Sequence, residues 1–488
     1  MYRLLSSAEK RHMHLLEYLN RQRREVSLED IVDALEVSKK TILSDFAYFD
    51  EEFQKLFFIS TSETGGYRLF YRYGYNIKTC YKAIYKKSLT IQFVAKLFFK
   101  PGRKIKDWAH ELYLSENTIY RMIKQFNEAF SDIDIHIITN EVSIQGAKEA
   151  YTRLFAGYFF EEVFDLYYWP FLDIDQEVIV QMADSFPKKY GRILTERQIH
   201  RISIITAMSF LRMNQGFLIK EDVTIHNEQA IMEHEEQMTE KLQAAIDFPL
   251  YESWKTELAA TVMFFNIAWD SEGEKQRTTE FANDFIDVIQ EKLKIKLIPE
   301  ARENLINGLL GNYTLYKIFP FEGIFVPRNP FLQTARLAEQ YPDFIKVVHE
   351  ELQKLEKKTQ FPFNSKLFYV ALETLFAEWE FLTVQLDKKR TPVRILAASS
   401  LSVTHSSNMK EILQTQFFYK VQVDVYKDTL YSLKKKSDIF DDYDIVITDL
   451  FMPELPLEKL FLTDVIFSDK QLLELENRIR YIQLKSGV

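Results

Sequence analysis

At 488 residues the chain is too long for one hydrophobic core, so several domains are expected. Hydrophobic residues at 47% and charged residues at 27% indicate a globular protein, and a lone cysteine, Cys80, excludes an internal disulfide or a Cys-x-x-Cys metal site. The net charge of −9 argues against a nucleic-acid partner only until it is divided: basic residues exceed acidic ones by 3 over residues 1–150, while the remainder carries an acidic excess of 12.

The opening Met1-Tyr2-Arg3, followed by Glu9-Lys10-Arg11, lacks the apolar run of a secretory signal. The apolar stretch 259–269 contains Asn266 and is too short to cross a bilayer, so a cytoplasmic protein with no membrane partner is expected. A first helix turns Leu15, Leu16 and Leu19 inward. Leu28, Ile31, Val32 and Leu35 then mark one face of a short helix, and Val37 plugs a turn. Ser38 caps a second helix by accepting from its free N–H groups, and Ile42 and Phe46 bury the inner face of that helix. This is helix-turn-helix spacing, which leaves an outer face for the major groove. Phe57-Phe58-Ile59, the pair Gly65-Gly66, and Tyr67, Leu69 and Tyr71 alternating with Arg68 and Arg72 read as a hairpin. Residues 1–72 therefore form a first winged helix.

Residues 73–100 read as helix, ended by Pro101-Gly102. The earlier pattern then returns 77 residues on: Leu28, Val32, Leu35, Val37, Ser38, Thr41, Ile42 and Phe49 align with Ile105, Ala109, Leu112, Leu114, Ser115, Thr118, Ile119 and Phe126. Ile133, Ile135 and Ile137, the turn Thr139-Asn140-Glu141, and Val142 and Ile144 supply a second hairpin, so residues 73–160 hold a linking helix and a second winged helix. One such copy is no more than a helical hairpin with a serine cap; two in register point to double-stranded DNA.

The outward residues of the first recognition helix are Lys39, Lys40, Leu43 and Ser44; those of the second are Glu116, Asn117, Tyr120, Arg121 and Lys124. Arg121 and Asn117 suit base edges, because Arg grips guanine and Asn grips adenine through paired hydrogen bonds. Lys39, Lys40, Lys124 and wing residue Arg68 suit phosphates, and Ser44 and Tyr120 complete the DNA-facing set. The first helix has little base-reading chemistry, which implies modest specificity there or readout of DNA shape. Between the two elements, residues 64–106 contain no acid but eleven Lys and Arg, a candidate phosphate-tracking surface.

Residues 161–390 show apolar spacing of three and four in successive segments, including 197–213, 228–245, 257–268, 279–293, 299–317, 334–340, 344–357 and 366–386. The polar stretch 270–278 is a seam between two helical bundles, 161–275 and 276–390. At residue 391 the pattern changes. Strand-like Val393 to Ala398, a polar loop 399–408, a helix to Phe417, strands Val421 to Val425 and Ile445 to Ile447, the apolar piece Val465-Ile466-Phe467 and a last helix 471–484 describe an α/β domain with a parallel sheet over 391–488. The fold class is thus mainly α, with tandem winged helices, two helical bundles and a C-terminal α/β domain.

Val37-Ser38-Lys39-Lys40-Thr41-Ile42, Leu114-Ser115-Glu116-Asn117-Thr118-Ile119 and this domain order resemble the Mga/AtxA group of global and virulence regulators from Gram-positive bacteria, over essentially the whole chain. The resemblance implies that the helical bundles are like phosphotransferase regulation domains (PRD), in which histidines take phosphate from a sugar phosphotransferase phosphocarrier, and that the last domain is like a phosphotransferase IIB component. It also implies a homodimeric, non-enzymatic transcription regulator without cofactor or metal. His200, between Arg197 and Arg201, best fits the regulatory phosphorylation site; His226, His234 and His349 fit less well, and the matching helix of the second module, 303–317, has no histidine. Where a cysteine-type IIB enzyme carries its phosphorylated Cys, this chain has Ala398-Ser399-Ser400-Leu401-Ser402, which favours packing and subunit association over phosphate relay. Asp449, in a strand that looks like a response-regulator acceptor strand, lacks the acidic pair that would hold Mg²⁺ and reads as a strand-end aspartate. The rival classes are an RNA-binding antiterminator under PRD control and a phosphotransferase-system enzyme component.

Overall fold

The computed structural model describes every residue except 23, 64, 166–167, 190–195, 220–234, 260–268, 270, 319–336, 339, 436, 454 and 486–488. His226, His234, the side chain of Arg197 and parts of the helices expected at 228–245, 257–268 and 334–340 lie outside the described residues. Two compact units result, one made of residues 1–280, 309–340 and 365–369, the other of 281–308, 341–364 and 370–488.

The first unit opens with α1 (Ser7–Arg21), α2 (Leu28–Leu35), α3 (Lys39–Phe53) and a hairpin of β1 (Phe57–Thr61) and β2 (Tyr67–Tyr71). Antiparallel pairing sets Phe58 opposite Phe70 and Ser60 opposite Arg68. Leu15, Leu16 and Leu19 of α1 are buried, as their spacing predicts. The helix expected over 73–100 is two helices, α4 (Ile77–Lys87) and α5 (Leu89–Phe99), because the backbone turns extended at Ser88. There follow α6 (Ile105–Glu111), α7 (Glu116–Ala129) and a second hairpin, β3 (Ile135–Ile138) with β4 (Ser143–Gly146). Each hairpin gains a short extra partner from the chain before its helix-turn-helix: Val26 bridges Tyr67, and Arg103 bridges Val142. Val26 and Arg103 are themselves 77 residues apart.

Next come α8 (Glu149–Val163), α9 (Gln176–Lys189), α10 (Glu196–Asn214), α11 (Glu235–Ala244) and α12 (Trp254–Ala259). One continuous core joins them to both winged helices. Its centre is aromatic: Phe155 of α8 meets Phe126 of α7 edge-on at 5.8 Å and Phe130 at 4.9 Å, while Phe98 of α5 lies 6.0 Å from Phe159. Rings in such edge-to-face pairs add to the area they bury. Helices α8 and α10 pack closely because residue 157 is glycine: a Cβ there would collide with the Ile205 side chain.

A buried ionic network crosses this core. Arg212 of α10 pairs through its Nε with Glu149, and its second nitrogen donates to Glu149 Oε2 at 2.8 Å and to the Ile144 carbonyl of β4 at 3.1 Å. Arg153 of α8 donates to Glu149 Oε1 at 3.1 Å and to the Phe217 carbonyl at 2.8 Å, and pairs with Glu257 of α12 at 2.6 Å. Glu257 in turn accepts from the Ile219 N–H at 3.0 Å.

Helices α13 (Glu272–Leu293) and α14 (Pro299–Ile318) have residues in both units. The polar stretch 270–278, expected as a seam, is therefore mostly helix: its Glu, Lys and Arg are good helix formers, and their charge reports solvent exposure rather than a loop. The second unit contains α15 (Pro342–Thr359), all but the first two residues of α16 (Phe368–Glu378), and α17 (Leu382–Lys388); the last two stand in place of one helix over 366–386, and the break is at Phe381, whose φ of 58° is left-handed. Its α/β part runs β5 (Val393–Ala398), α18 (Val403–Phe417), β6 (Val421–Val425), α19 (Leu430–Lys435), β7 (Ile445–Thr448), β8 (Leu460–Leu462) and α20 (Asp469–Lys485). The sheet is parallel in the order β6-β5-β7-β8, as expected for this domain. Its fourth strand is Leu460–Leu462, whereas Val465 and Ile466 are exposed; helix α18 starts at Val403, earlier than expected, because Ser402 caps it. Among the described residues no helix is long and apolar enough to cross a membrane.

Filling the space at residue 157 tests the α8–α10 contact. Gly157→Ala should lower unfolding free energy by about 1–3 kcal/mol, the usual cost of overpacking a tight core, measured by denaturant titration.

Candidate nucleic-acid interface

The two helix-turn-helix units share their caps as well as their spacing. Ser38 Oγ accepts from the Thr41 N–H at 3.1 Å and lies 2.8 Å from Thr41 Oγ1; Ser115 Oγ accepts from the Thr118 N–H at 3.2 Å and lies 2.9 Å from Thr118 Oγ1. Each cap satisfies a backbone donor at the start of its helix. The turns agree too, since Glu36 and Tyr113, again 77 apart, are both left-handed with φ of 54° and 56°. Neither is glycine, so sequence gave no signal for that conformation. Inside, Ile31, Ile42 and Phe49 match Trp108, Ile119 and Phe126, all buried.

Outside, Lys39, Lys40, Leu43 and Ser44 of α3 are exposed, and so are Asn117, Tyr120, Arg121 and Lys124 of α7. Lys39 pairs with Glu29, and Lys124 lies 3.7 Å from Glu128. Both pairs are solvent-exposed and worth little, so a phosphate can replace the carboxylate. Arg68 is half-buried on the wing, its guanidinium 5.2 Å from the Phe70 ring centroid. Arg72, read from sequence as part of the hairpin and of the basic run, sits 4.7 Å over Phe58, and the Phe58 and Phe70 rings stack at 5.4 Å. The outer face of the first wing thus carries two arginines lying on an aromatic pair.

The basic run behaves differently from its sequence reading. Lys96, Lys100 and Arg103 converge on Glu111, the first two at 3.2 and 3.0 Å. Burial pushes the Glu111 carboxyl up, but hydrogen bonds from Lys100, Arg103 and Lys96 outweigh it and bring the pKa to about 2. Lys86 pairs with Asp165 at 2.5 Å, Lys87 with Glu52, and Lys82 donates to the carbonyls of Glu161 and Phe164. Lys78, Lys104 and Lys106 are exposed and make no ion pair among the described residues. A run without acids in sequence is not a surface without acids in space, because Glu52, Glu111 and Asp165 come in from outside it.

One residue that positions the interface was not singled out from sequence. Asp45 is on the inner side of α3, 3% exposed, and accepts from Arg11 of α1 at 2.7 and 2.9 Å and lies 3.0 Å from His12 Nε2. The His12 ring stacks on Tyr48 at 4.6 Å. The only available signal was an acid at an inward position, three residues after Ile42.

His200 lies near the start of α10 and is 6% exposed. Burial pushes its pKa down, against the pull of Glu161 and with the push of Lys82 and Arg201. The Arg201 guanidinium is already committed to Glu161. In the α/β domain, Asp449 stands at the end of β7 and fills the serine loop after β5: it accepts from the Ser400 N–H at 2.7 Å and from Ser400 Oγ at 2.6 Å. The donors of the loop at Ser400 are thus taken by the chain's own carboxylate. Among the described residues no group of three or more His, Cys, Asp or Glu side chains is placed to hold a metal ion.

Residues 74–159, which contain α4, α5 and the second winged helix, match the Mga helix-turn-helix domain. A putative trans-acting regulator of Streptococcus pneumoniae is 22% identical over 99% of both chains. The capsule synthesis positive regulator AcpB and the anthrax toxin expression trans-acting positive regulator, both from Bacillus anthracis, are each 20% identical over 92% of this chain and 93% and 94% of their own. The duplicated helix-turn-helix units and these similarities define a DNA-binding transcription regulator. In this the chain is similar to the Mga/AtxA group of such regulators.

Asp45 gives a pH signature. Burial pushes its carboxyl up, but hydrogen bonds from Arg11 and His12 prevail and hold it below the usual range. A lowered folded pKa stabilises fully above the unfolded value, roughly 4, and that stability is lost as pH falls through the folded value. Asp45→Asn should therefore cost about 3 kcal/mol at pH 7, as for other broken buried ion pairs. The gap from the parent should narrow below pH 4 in urea titrations.

Proposed function

We propose that this chain is a positive regulator of virulence-type genes, in keeping with the names of its relatives, and that it grips duplex DNA with the outer faces of α3 and α7. The carrying observation is the pair of capped, outward-facing recognition helices at one spacing. Asn117 and Arg121 contact base edges, and Lys39, Lys40, Lys124 and Arg68 contact phosphates, with Ser44 and Tyr120 beside them. The reading places the protein in the cytoplasm, as a non-enzymatic homodimer without cofactor. Residues 1–72 and 73–160 bind DNA, 161–275 and 276–390 act as PRD-like modules, and 391–488 is a IIB-like domain for subunit association.

Control through the helical modules belongs to the same reading. A phosphotransferase phosphocarrier would modify His200, and the buried ring makes that transfer conditional on opening the helices that cover it. A dimer then binds more tightly than a monomer because the second half is tethered, so shifting the oligomer equilibrium shifts occupancy. Against an RNA-binding antiterminator, the supporting feature is the pair of helix-turn-helix units at the N-terminal end.

Gel shifts test the interface. Arg121→Ala with Asn117→Ala should weaken binding to a selected duplex by about 10- to 100-fold, from the loss of paired base contacts, with little change on unrelated DNA. Affinity of the parent should fall linearly in log–log plots against salt, and Lys40→Ala should reduce the slope by about one. Stronger binding to an RNA hairpin than to duplex DNA would favour the antiterminator.

A further inference from the structure

The two recognition helices share one feature that neither phosphate contact nor paired base hydrogen bonds employ. Leu43 of α3 and Tyr120 of α7 are 77 residues apart, so they hold the same position five residues after the serine caps, and each is 48% exposed. Both are large apolar side chains on a face that is otherwise polar. The inward neighbours Ile42 and Ile119 are fully buried, so the core does not require a second apolar residue there. Each is flanked by cations on its own helix, Lys39 and Lys40 in the first, Arg121 and Lys124 in the second. An apolar centre ringed by positive charge complements a major groove, where phosphates line the rims and the thymine C5-methyl is the apolar group on the floor.

We infer that Leu43 and Tyr120 read thymine methyl groups, so the DNA bound carries thymines at two equivalent positions, one under each helix-turn-helix unit. This rests on the DNA-binding reading above and adds its specificity. It gives the first recognition helix, which has little other base-reading chemistry, a means of direct readout. Contact of this kind distinguishes thymine from uracil, since the two bases pair identically and differ only in the methyl.

The test uses the full chain and a duplex recovered by in vitro selection, compared by fluorescence anisotropy with the same duplex in which every thymine is replaced by deoxyuridine. Loss of the methyl contacts should weaken parent binding by about four- to fifteenfold, the range for burying one or two methyl-sized groups. Leu43→Ala and Tyr120→Ala should each weaken binding to the thymine duplex and shrink the thymine-to-uracil ratio, and the double variant should bring it to one. Both side chains are exposed, so these variants should keep the parent's unfolding midpoint. Equal binding of the two duplexes by the parent overturns the inference while leaving DNA binding standing. An undiminished ratio in the double variant also overturns it and assigns the uracil effect to DNA shape. Failure to select any duplex overturns the inference together with the DNA-binding reading.

Discussion

Two water-excluded arginines tie α8, α10, α12 and wing strand β4 of the first unit together. Arg153 and Arg212 share Glu149, and Arg153 also holds Glu257. Removing each charge from water costs several kcal/mol, so the cluster persists only because every charge is paired. The geometry that results is binding on its surroundings. Arg212 reaches the backbone of wing strand β4, Arg153 the chain just after α10, and Glu257 the N–H of Ile219. The second wing and the helical pack are therefore one mechanical body. A displacement of α10 strips partners from buried ions, and a wing held this way cannot be independent of the helix that carries His200.

The duplicated units reach the same outer geometry by different internal means. In the first, α3 is held from behind by Asp45 on Arg11 and His12; at the matching position of the second stands Met122, buried among apolar neighbours. The ion pair fixes the orientation of α3 through directed hydrogen bonds. The second copy relies on the aromatic contacts of Phe126 and Phe130 with Phe155, which tie α7 to α8. The first recognition helix is thus fixed to α1 by buried polar geometry, and the second is packed into the body that bears the ionic network.

Local chemistry was legible where a residue type has one dominant use. Serine caps, inward Ile42 and Ile119, the glycine wing and the strand from Val393 all stand where their spacing puts them. The exposed sides of α3 and α7 follow from the same periodicity, since a buried stripe defines its opposite. What was hidden depends on residues distant in sequence. The neutralisation of the basic run comes from Glu111, Glu52 and Asp165, and the burial of His200 comes from the packing of α8 and α9 on α10. Left-handed Glu36, Tyr113 and Phe381 were invisible because their side chains do not advertise the conformation. The break at Ser88 escaped for a related reason, as serine serves equally as a helix residue and a cap.

These neutralised cations change the balance of forces expected at a DNA surface. With Lys82 on backbone carbonyls and Lys96, Lys100 and Arg103 gathered on Glu111, fewer cations of the run are available to phosphates than its sequence suggests, and Lys78, Lys104 and Lys106 remain exposed beside those of the two outward helix faces and the wing. Salt screens charges beyond the Debye length, about 8 Å at physiological strength, so only charges near the bound phosphates add to or oppose the attraction. Long-range electrostatics therefore contributes less than the sequence count suggests. Short-range contacts must then distinguish one duplex from another, and these require both recognition helices to be set rigidly. The Asp45 ion pair, the Phe155 contacts and the Arg–Glu network are the means by which the fold supplies that rigidity.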